Sequence, residues 1–256
     1  MTSSHAVLKL KSQADRRLRA GHLWIYSNEV DVQATPLKDF EPGQQVRVEN
    51  SAGKAMGLAY INPHSLICGR VFGRDIRYPL DKSLLVHRLN VALSLREGMT
   101  DKPYYRLVYG DSDFLPGLVV DRFADVVVVQ IATAGMEAVK QDIIDALVQV
   151  LKPEGILLKN DSRIRVSENL PEYVDVVYGQ VPERVAMEEN GVKFSVPVFS
   201  GQKTGWFYDH RANRLRLADY VRGKRVLDVF SYIGGWGVQA AVLLRVSHSW
   251  LRQDNH

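Results

Sequence analysis

The chain has 256 residues, of which 46% are hydrophobic and 24% charged, with a single cysteine and a net charge of +4. At roughly 100–200 residues per domain this length implies more than one domain, and the composition excludes long disorder and collagen-like repeats. One cysteine excludes an internal disulfide framework and a cysteine-based zinc cluster. No segment approaches the ~18–20 apolar residues of a membrane span, so a cytoplasmic protein with no metal and no membrane partner is expected.

The first ~75 residues read as all-β. AVLKLK, QQVRVEN, KAMGLAYI and SLICGRVF are short apolar or alternating runs separated by turn signals at Pro42-Gly43, Ser51-Ala52-Gly53 and Asn62-Pro63. This pattern predicts a small β-barrel, with Gly69, Gly73 and Pro79 marking its exit. Asp81 then caps a predicted helix in which Leu85, Leu89, Ala92 and Leu93 recur at helical spacing and Gly98 ends the run. YRLVYGDSD and LPGLVVDRFADVVVVQIA read as strands around tight turns, with Val126 to Val129 too apolar to face water. Glu137 to Leu151 returns to helical period through Ile143, Ile144, Leu147 and Leu151, and GILLKND follows as a strand. VAMEENGVKFSVPVF is a predicted hairpin turning at Asn190-Gly191.

The final portion differs. GQKTGWFYDHRANRLRLADYV is a polar loop leading into a basic helix, and KRVLDVFSYIGGWGVQAAVLL reads as strand, glycine-rich turn and helix. RVSHSWLRQDNH has no periodicity. The expected fold class is therefore α+β multidomain. It comprises an N-terminal β-barrel over residues 1–76, a central α+β domain over 77–184, and an incomplete α/β Rossmann-like domain over 185–256. Positive charge concentrates in two places. One holds Lys9, Lys11, Arg16, Arg17 and Arg19; the other holds Lys203, Arg211, Arg214, Arg216, Arg222, Lys224 and Arg225. A solvated face explains such clusters more readily than a nucleic-acid partner does.

The chemistry concentrates at Val226-Leu227-Asp228-Val229-Phe230 and the following Ser231-Tyr232-Ile233-Gly234-Gly235-Trp236-Gly237. A strand ending in D-x-F, a G-G-x-G turn and a helix start together let a ligand approach the backbone and offer it free N–H groups at a positive dipole end. The spacing is not G-x-G-x-x-G and suits S-adenosylmethionine better than a dinucleotide, although a purely structural turn gives the same pattern.

VLDVFSYIGGWGVQAA, preceded about 25 residues earlier by SGQKTGWFYDHR, resembles the class I methyltransferases of the ribosomal RNA large subunit methyltransferase I family. LKLKSQADRRLRAGHLWIYSNEV resembles that family's RNA-binding PUA domain, and GDSDFLPGLVVDRF its middle domain. The resemblance runs from about residue 6 to about residue 241 in family order. It implies S-adenosylmethionine as cofactor, RNA as partner, and methylation of carbon 5 of a cytosine in 23S rRNA. Carried over, the cofactor residues are Gln202, Lys203, Thr204, Gly205, Tyr208, Asp209, Arg211, Asp228, Ser231, Gly234 and Gly237. A cationic and an acidic side chain beside a helix N-terminus also complement the carboxylate and ammonium of a methionine moiety. Trp206, Phe207 and Trp236 read as core packing in preference to base stacking. On the RNA side the resemblance points to Arg16, Arg17, His22 and Trp24, with Arg70 nearby. His22 reads equally as a solvated histidine, and Trp24-Ile25 as barrel core.

The sequence departs from the family in two respects. Family enzymes add a cysteine thiolate to carbon 6 of the base and use a second cysteine in proton removal, both downstream of the glycine turn. This chain has only Cys68, in the first predicted domain, where it reads as inert core, so no catalytic residue is assigned. The acidic partner of the ribose hydroxyls falls due about 20 residues after the glycines. Asp254 stands there, but Ser247-His248-Ser249-Trp250 before it is no buried strand. A C-terminally truncated, catalytically incomplete relative is therefore expected. An unpaired sheet edge makes a homodimer a candidate. Two rivals remain. One is an RNA-binding module without catalysis. The other is a GDS-type hydrolase on Gly110-Asp111-Ser112, which lacks the required D-x-x-H pair and offers only Asp209-His210 or Asp254-Asn255-His256. GDSD reads otherwise as a turn between strands.

Overall fold

The computed structural model describes residues 5–243, so Asp254 and the segment 245–256 lie outside the described residues. The chain divides into two compact units after Val181.

The first unit begins with β1 (Ala6–Lys9), α1 (Asp15–Arg19), β2 (Trp24–Ile25), β3 (Gln45–Glu49), β4 (Ala55–Ile61) and β5 (Gly69–Gly73). These strands form one sheet in the order β1-β3-β4-β5-β2, parallel only at β1–β3. Alternation sorts β3, with Val46 and Val48 fully buried and Gln45, Arg47 and Glu49 partly exposed. Leu8, Leu18, Ile25 and Cys68 close the same apolar cluster. The predicted barrel is not closed. β2 is two residues long and pairs with β5 only through Trp24↔Arg70 and Ile25↔Gly69, too short a ladder to carry the sheet round to β1. Between the two ends only a single bridge, Leu10↔Val30, is present among the described residues.

The same unit continues with α2 (Lys82–Glu97), β6 (Tyr104–Tyr109), β7 (Leu118–Phe123), β8 (Val126–Ile131), α3 (Ala134–Ala138), α4 (Lys140–Leu151), β9 (Gly155–Asn160) and β10 (Tyr173–Gly179). Asp81 caps α2 by accepting the Leu84 N–H at 2.9 Å, and Gly98 is its C-cap. GDSD forms a 3-10 turn after β6. The sheet order is β10-β9-β8-β7-β6, antiparallel except between β8 and β9, which the α3–α4 segment connects. The single helix expected over 137–151 is interrupted at Val139, which separates α3 from α4. Leu85 and Leu89 of α2 and Ile143 and Leu147 of α4 pack on Val127, Val129, Ile156 and Leu158. Leu58, Tyr60 and Phe72 of the first sheet belong to that same core cluster. Tyr60 anchors the joint: its hydroxyl donates to the Pro116 carbonyl at 2.5 Å and lies 3.0 Å from Thr133 Oγ1.

Burial pushes the Cys68 thiol up to about 12 and raises the Tyr60 phenol as well. A raised folded-state pKa leaves its stabilisation intact below the unfolded value and removes it as pH climbs towards the folded one. Urea midpoints of the protein are therefore expected to fall between about pH 9 and about pH 12. Cys68→Ala should flatten part of that decline; an unchanged slope would show that the thiol does not contribute.

The second unit opens with the hairpin β11 (Arg184–Glu189) and β12 (Val192–Pro197). Its two turn residues have positive φ, 53° at Asn190 and 79° at Gly191, the combination a type I′ turn requires. The helices α5 (Arg211–Arg216), α6 (Ala218–Val221) and α7 (Gly235–Leu243) follow. The strand expected at 226–230 does not form: Leu227, Val229 and Phe230 are 74%, 62% and 99% exposed. No described strand pairs with it, because β11 and β12 pair with each other, and an apolar run without a ladder partner has no reason to become a strand. No helix among the described residues is long and apolar enough to cross a membrane.

Candidate functional site

In the second unit the glycine turn and the preceding loop converge on α7. The Tyr232 hydroxyl accepts the Gln202 N–H at 3.1 Å and donates to the Gly205 carbonyl at 3.2 Å, stapling the two segments. Burial raises the Tyr232 phenol, which keeps it protonated and able to donate. Gly201 is obligatory, since a Cβ there would stand 2.2 Å from the Pro197 carbonyl oxygen and 2.5 Å from the Tyr232 hydroxyl. Lys203, Phe230 and Tyr232 all adopt positive φ (51°, 61° and 54°), a concentration of backbone strain typical of functional turns. Phe207 packs edge-on against Tyr232 at 6.1 Å, and the Lys203 ammonium lies 4.9 Å from the Phe207 ring centre.

Gln202, Phe207, His210, Ser231, Tyr232 and Trp236 are among the residues around a cavity of about 220 Å³ beside the start of α7. The remaining predicted cofactor residues are placed as follows. Thr204 and Gly205 are buried, Tyr208 and Arg211 partly exposed, and Asp209 exposed. Gly234 has φ of 76° and Gly237 lies in the first turn of α7. Asp228 is not directed at an open subsite: its Oδ2 accepts the Gly237 N–H at 2.9 Å, so a carboxylate already sits on the positive end of the helix.

This tests the fit of S-adenosylmethionine. A cavity of about 220 Å³ is below the ~300–1,000 Å³ of sites that enclose a ligand of that size, and Asp228 holds one of the N–H groups an incoming carboxylate would use. The described residues suit one end of such a cofactor and do not enclose it.

The sequence reading missed the residue that organises this unit. Glu189 is 2% exposed and accepts from Trp206 Nε1 (2.9 Å), Arg214 Nε (2.6 Å) and Gln239 Nε2 (2.8 Å). Trp206 is core, 2% exposed, 4.7 Å from the Phe194 ring and beneath the Arg214 guanidinium at 4.6 Å. Trp236 is half-buried against His210. An acid immediately before a hairpin turn looks like a solvated strand end; only the excess of Arg downstream hinted at a buried partner.

In the first unit, Trp24 and Arg70 stand opposite each other across β2 and β5, with the guanidinium 5.5 Å from the indole centre. Trp24 is half-buried and donates through Nε1 to Asp111 Oδ2 at 2.9 Å, while Arg70 faces Glu168 at 3.7 Å. Arg17 pairs with Glu29 at 3.4 Å and lies 4.9 Å from the Tyr26 ring centre. Arg16 and His22 are exposed. The chain thus brings Trp24 and Arg70 together and leaves Arg16 and His22 in solvent. Cys68 is fully buried, its thiol 3.6 Å from the Ile25 carbonyl oxygen. Ser112 lines a groove that also contains His87, but no hydrogen bond links the two among the described residues; Asp209 and His210 belong to the other unit.

A PUA-like domain family matches residues 8–74. The fold recurs in two solved structures, each 24% identical and aligned over 92% of this chain and 60% of theirs. One, with a TM-score of 0.75, is described as a SAM-dependent methyltransferase from Streptococcus mutans; the other, at 0.77, is described as a methyltransferase complexed with SAH. The class is therefore a PUA-like domain joined to a fold shared with methyltransferases. The chain is 37% identical over 230 residues to ribosomal RNA large subunit methyltransferase I of Aliivibrio fischeri, covering 88% of this chain and 57% of the relative. The corresponding Aeromonas hydrophila protein is 37% identical over 242 residues, covering 92% and 60%. The chain is thus homologous to curated proteins of the ribosomal RNA large subunit methyltransferase I family, and spans 57–60% of the length of these relatives.

Proposed function

We propose that the chain provides the RNA-binding portion and the opening of the cofactor domain of an S-adenosylmethionine-dependent rRNA methyltransferase acting on carbon 5 of a cytosine in 23S rRNA. The observation that carries this reading is the 37% identity to curated relatives over 88% of the chain, with a PUA-like match at its front. In this reading residues 1–76 bind RNA through Arg16, Arg17, His22, Trp24 and Arg70, residues 77–184 support them, and residues 185–256 begin the methyltransferase domain. Gln202, Lys203, Thr204, Gly205, Tyr208, Asp209, Arg211, Ser231, Gly234 and Gly237 contribute to the cofactor site, and Asp228 shapes it by holding the Gly237 N–H at the start of α7. When bound, the cofactor supplies the methyl group. The chain's own contribution is to orient the methionine end against the loop at 202–211 and the first turn of α7. An rRNA substrate implies a cytoplasmic location. The exposed apolar run Leu227, Val229 and Phe230 supports self-association as a homodimer, which sedimentation at two concentrations tests.

The 256 residues by themselves bind RNA without transferring a methyl group. Their one thiol is fully buried with its pKa pushed up to about 12, so it offers no thiolate to carbon 6 at neutral pH. With labelled cofactor and unmodified 23S rRNA, binding by gel shift and no incorporation are expected. Arg16→Ala with Arg17→Ala should weaken binding and reduce its salt dependence. Incorporation by this chain alone would refute the catalytic part, and an unbound rRNA the RNA-binding part.

A further inference from the structure

A groove of the first unit lies apart from the RNA-binding and cofactor residues assigned above. It encloses about 820 Å³ between the segment at Arg77–Pro79, the α2 face carrying His87, Val91 and Leu95, and the turn ending at Phe114. That volume is within the ~300–1,000 Å³ of sites for nucleotide-sized ligands.

Three features of the groove point to its occupant. Phe114 is 55% exposed and has φ of 57°, a left-handed conformation that is strained for a bulky aromatic residue and marks functional sites when the surroundings enforce it. Here they do: the Arg88 guanidinium donates to the carbonyls of Phe114 and Phe72, and the Phe114 N–H donates to the Asp111 carbonyl at 3.1 Å. Tyr78, on the other side, is 56% exposed with the Arg77 guanidinium 5.5 Å from its ring centre. The groove therefore has two exposed aromatic faces. Arg88 is a half-buried cation that donates to the neutral carbonyls of Phe114 and Phe72, and burial lowers its pKa to about 10, so a negatively charged ligand would relieve its desolvation. The turn that forms the wall also reaches the RNA surface proposed above. Asp111 accepts the Trp24 indole N–H, and the next three residues, Ser112 to Phe114, line the groove.

We propose that this groove receives an unstacked base of single-stranded RNA adjoining the Trp24–Arg70 surface, with Phe114 and Tyr78 as stacking faces and Arg88 as the neighbouring cation. Stacking platforms flanked by cations are the general means of holding single strands, whereas a second protein copy would have no use for a strained aromatic beside a half-buried positive charge. The inference rests on the RNA-binding reading.

The test uses the full chain and a short single-stranded oligoribonucleotide carrying 2-aminopurine. Quenching of the probe on binding is expected, with about a tenfold loss of affinity in Phe114→Gly or Tyr78→Ala. Phe114→Gly removes the ring while relieving the left-handed backbone, so its melting temperature should not fall, which separates lost stacking from lost folding. Phe114→Tyr should retain affinity. Wild-type affinity in both Phe114→Gly and Tyr78→Ala, alongside weakened Arg16→Ala/Arg17→Ala, would overturn the groove proposal and leave the RNA reading standing. No binding by the unmodified chain would overturn both. A change in the sedimentation of the RNA-free protein on Leu95→Glu would make the groove a contact between copies and overturn the assignment.

Discussion

Replacing Glu189 by Ala is expected to unfold the second unit at ambient temperature while the first remains folded. Glu189 is 2% exposed and neutralises Arg214, itself 4% exposed, through contacts of 2.6 and 3.1 Å. Removing one partner of a buried pair leaves an uncompensated charge and costs about 3–5 kcal/mol. Trp206 Nε1 and Gln239 Nε2 lose the same acceptor. Since whole domains are stable by only about 5–15 kcal/mol, a small unit built on one hairpin and short helices cannot absorb that loss. The readout is tryptophan emission, because Trp206 lies in this unit's core and should shift to the red on exposure. Glu189→Gln, which preserves the shape and part of the hydrogen bonding, should lie between the two. A Glu189→Ala protein with native emission and an unchanged urea midpoint would refute the assignment of Glu189 as the anchor.

Gly135→Ala is expected to be similarly damaging to the first unit, although alanine is by itself about 1 kcal/mol better than glycine inside a helix. A Cβ at Gly135 would lie 2.0 Å from Cγ of Tyr60 and 2.2 and 2.4 Å from the two adjoining ring carbons. The ring cannot withdraw, since its hydroxyl is fixed to the Pro116 carbonyl and Thr133 and its face stacks near Phe72 at 6.5 Å. Overpacking of this kind costs about 1–3 kcal/mol where neighbours can shift, and more where they cannot. The diagnostic experiment is a double-mutant cycle. In a Tyr60→Ala background, itself destabilised, Gly135→Ala should become neutral or slightly stabilising. A penalty that persists without the ring would mean that the backbone at 135, not the Tyr60 contact, requires glycine.

The two predictions mark where sequence reading succeeds and where it stops. The helix cap at Asp81, the Asn190-Gly191 hairpin and the burial of Val126–Val129 were legible because each depends on residues within a few positions of one another. β10, YVDVVYG, escaped notice although it is rich in Val and Tyr, because it is a mostly exposed edge strand that owes its conformation to pairing with β9 and not to burial. The glycine turn at 231–237 was visible by spacing, but its geometry was not. That Asp228 caps α7 and Tyr232 staples Gln202 to Gly205 depends on the path of the chain between them. Glu189 was hidden for the same reason, as its partners lie 17 to 50 positions away.

By itself the sequence determined the family resemblance, the order of its parts and most of the local elements, because turn chemistry, capping and hydrophobic period are short-range properties of the chain. Only the tertiary structure decided that the N-terminal sheet stays open, that Leu227 to Phe230 is no strand, and that Phe114 is held out in a strained conformation beside a half-buried cation. A strand exists only when another backbone is present to complete its hydrogen bonds, and a strained side chain persists only when distant groups hold it. Both conditions depend on residues far apart in sequence, which periodicity cannot report.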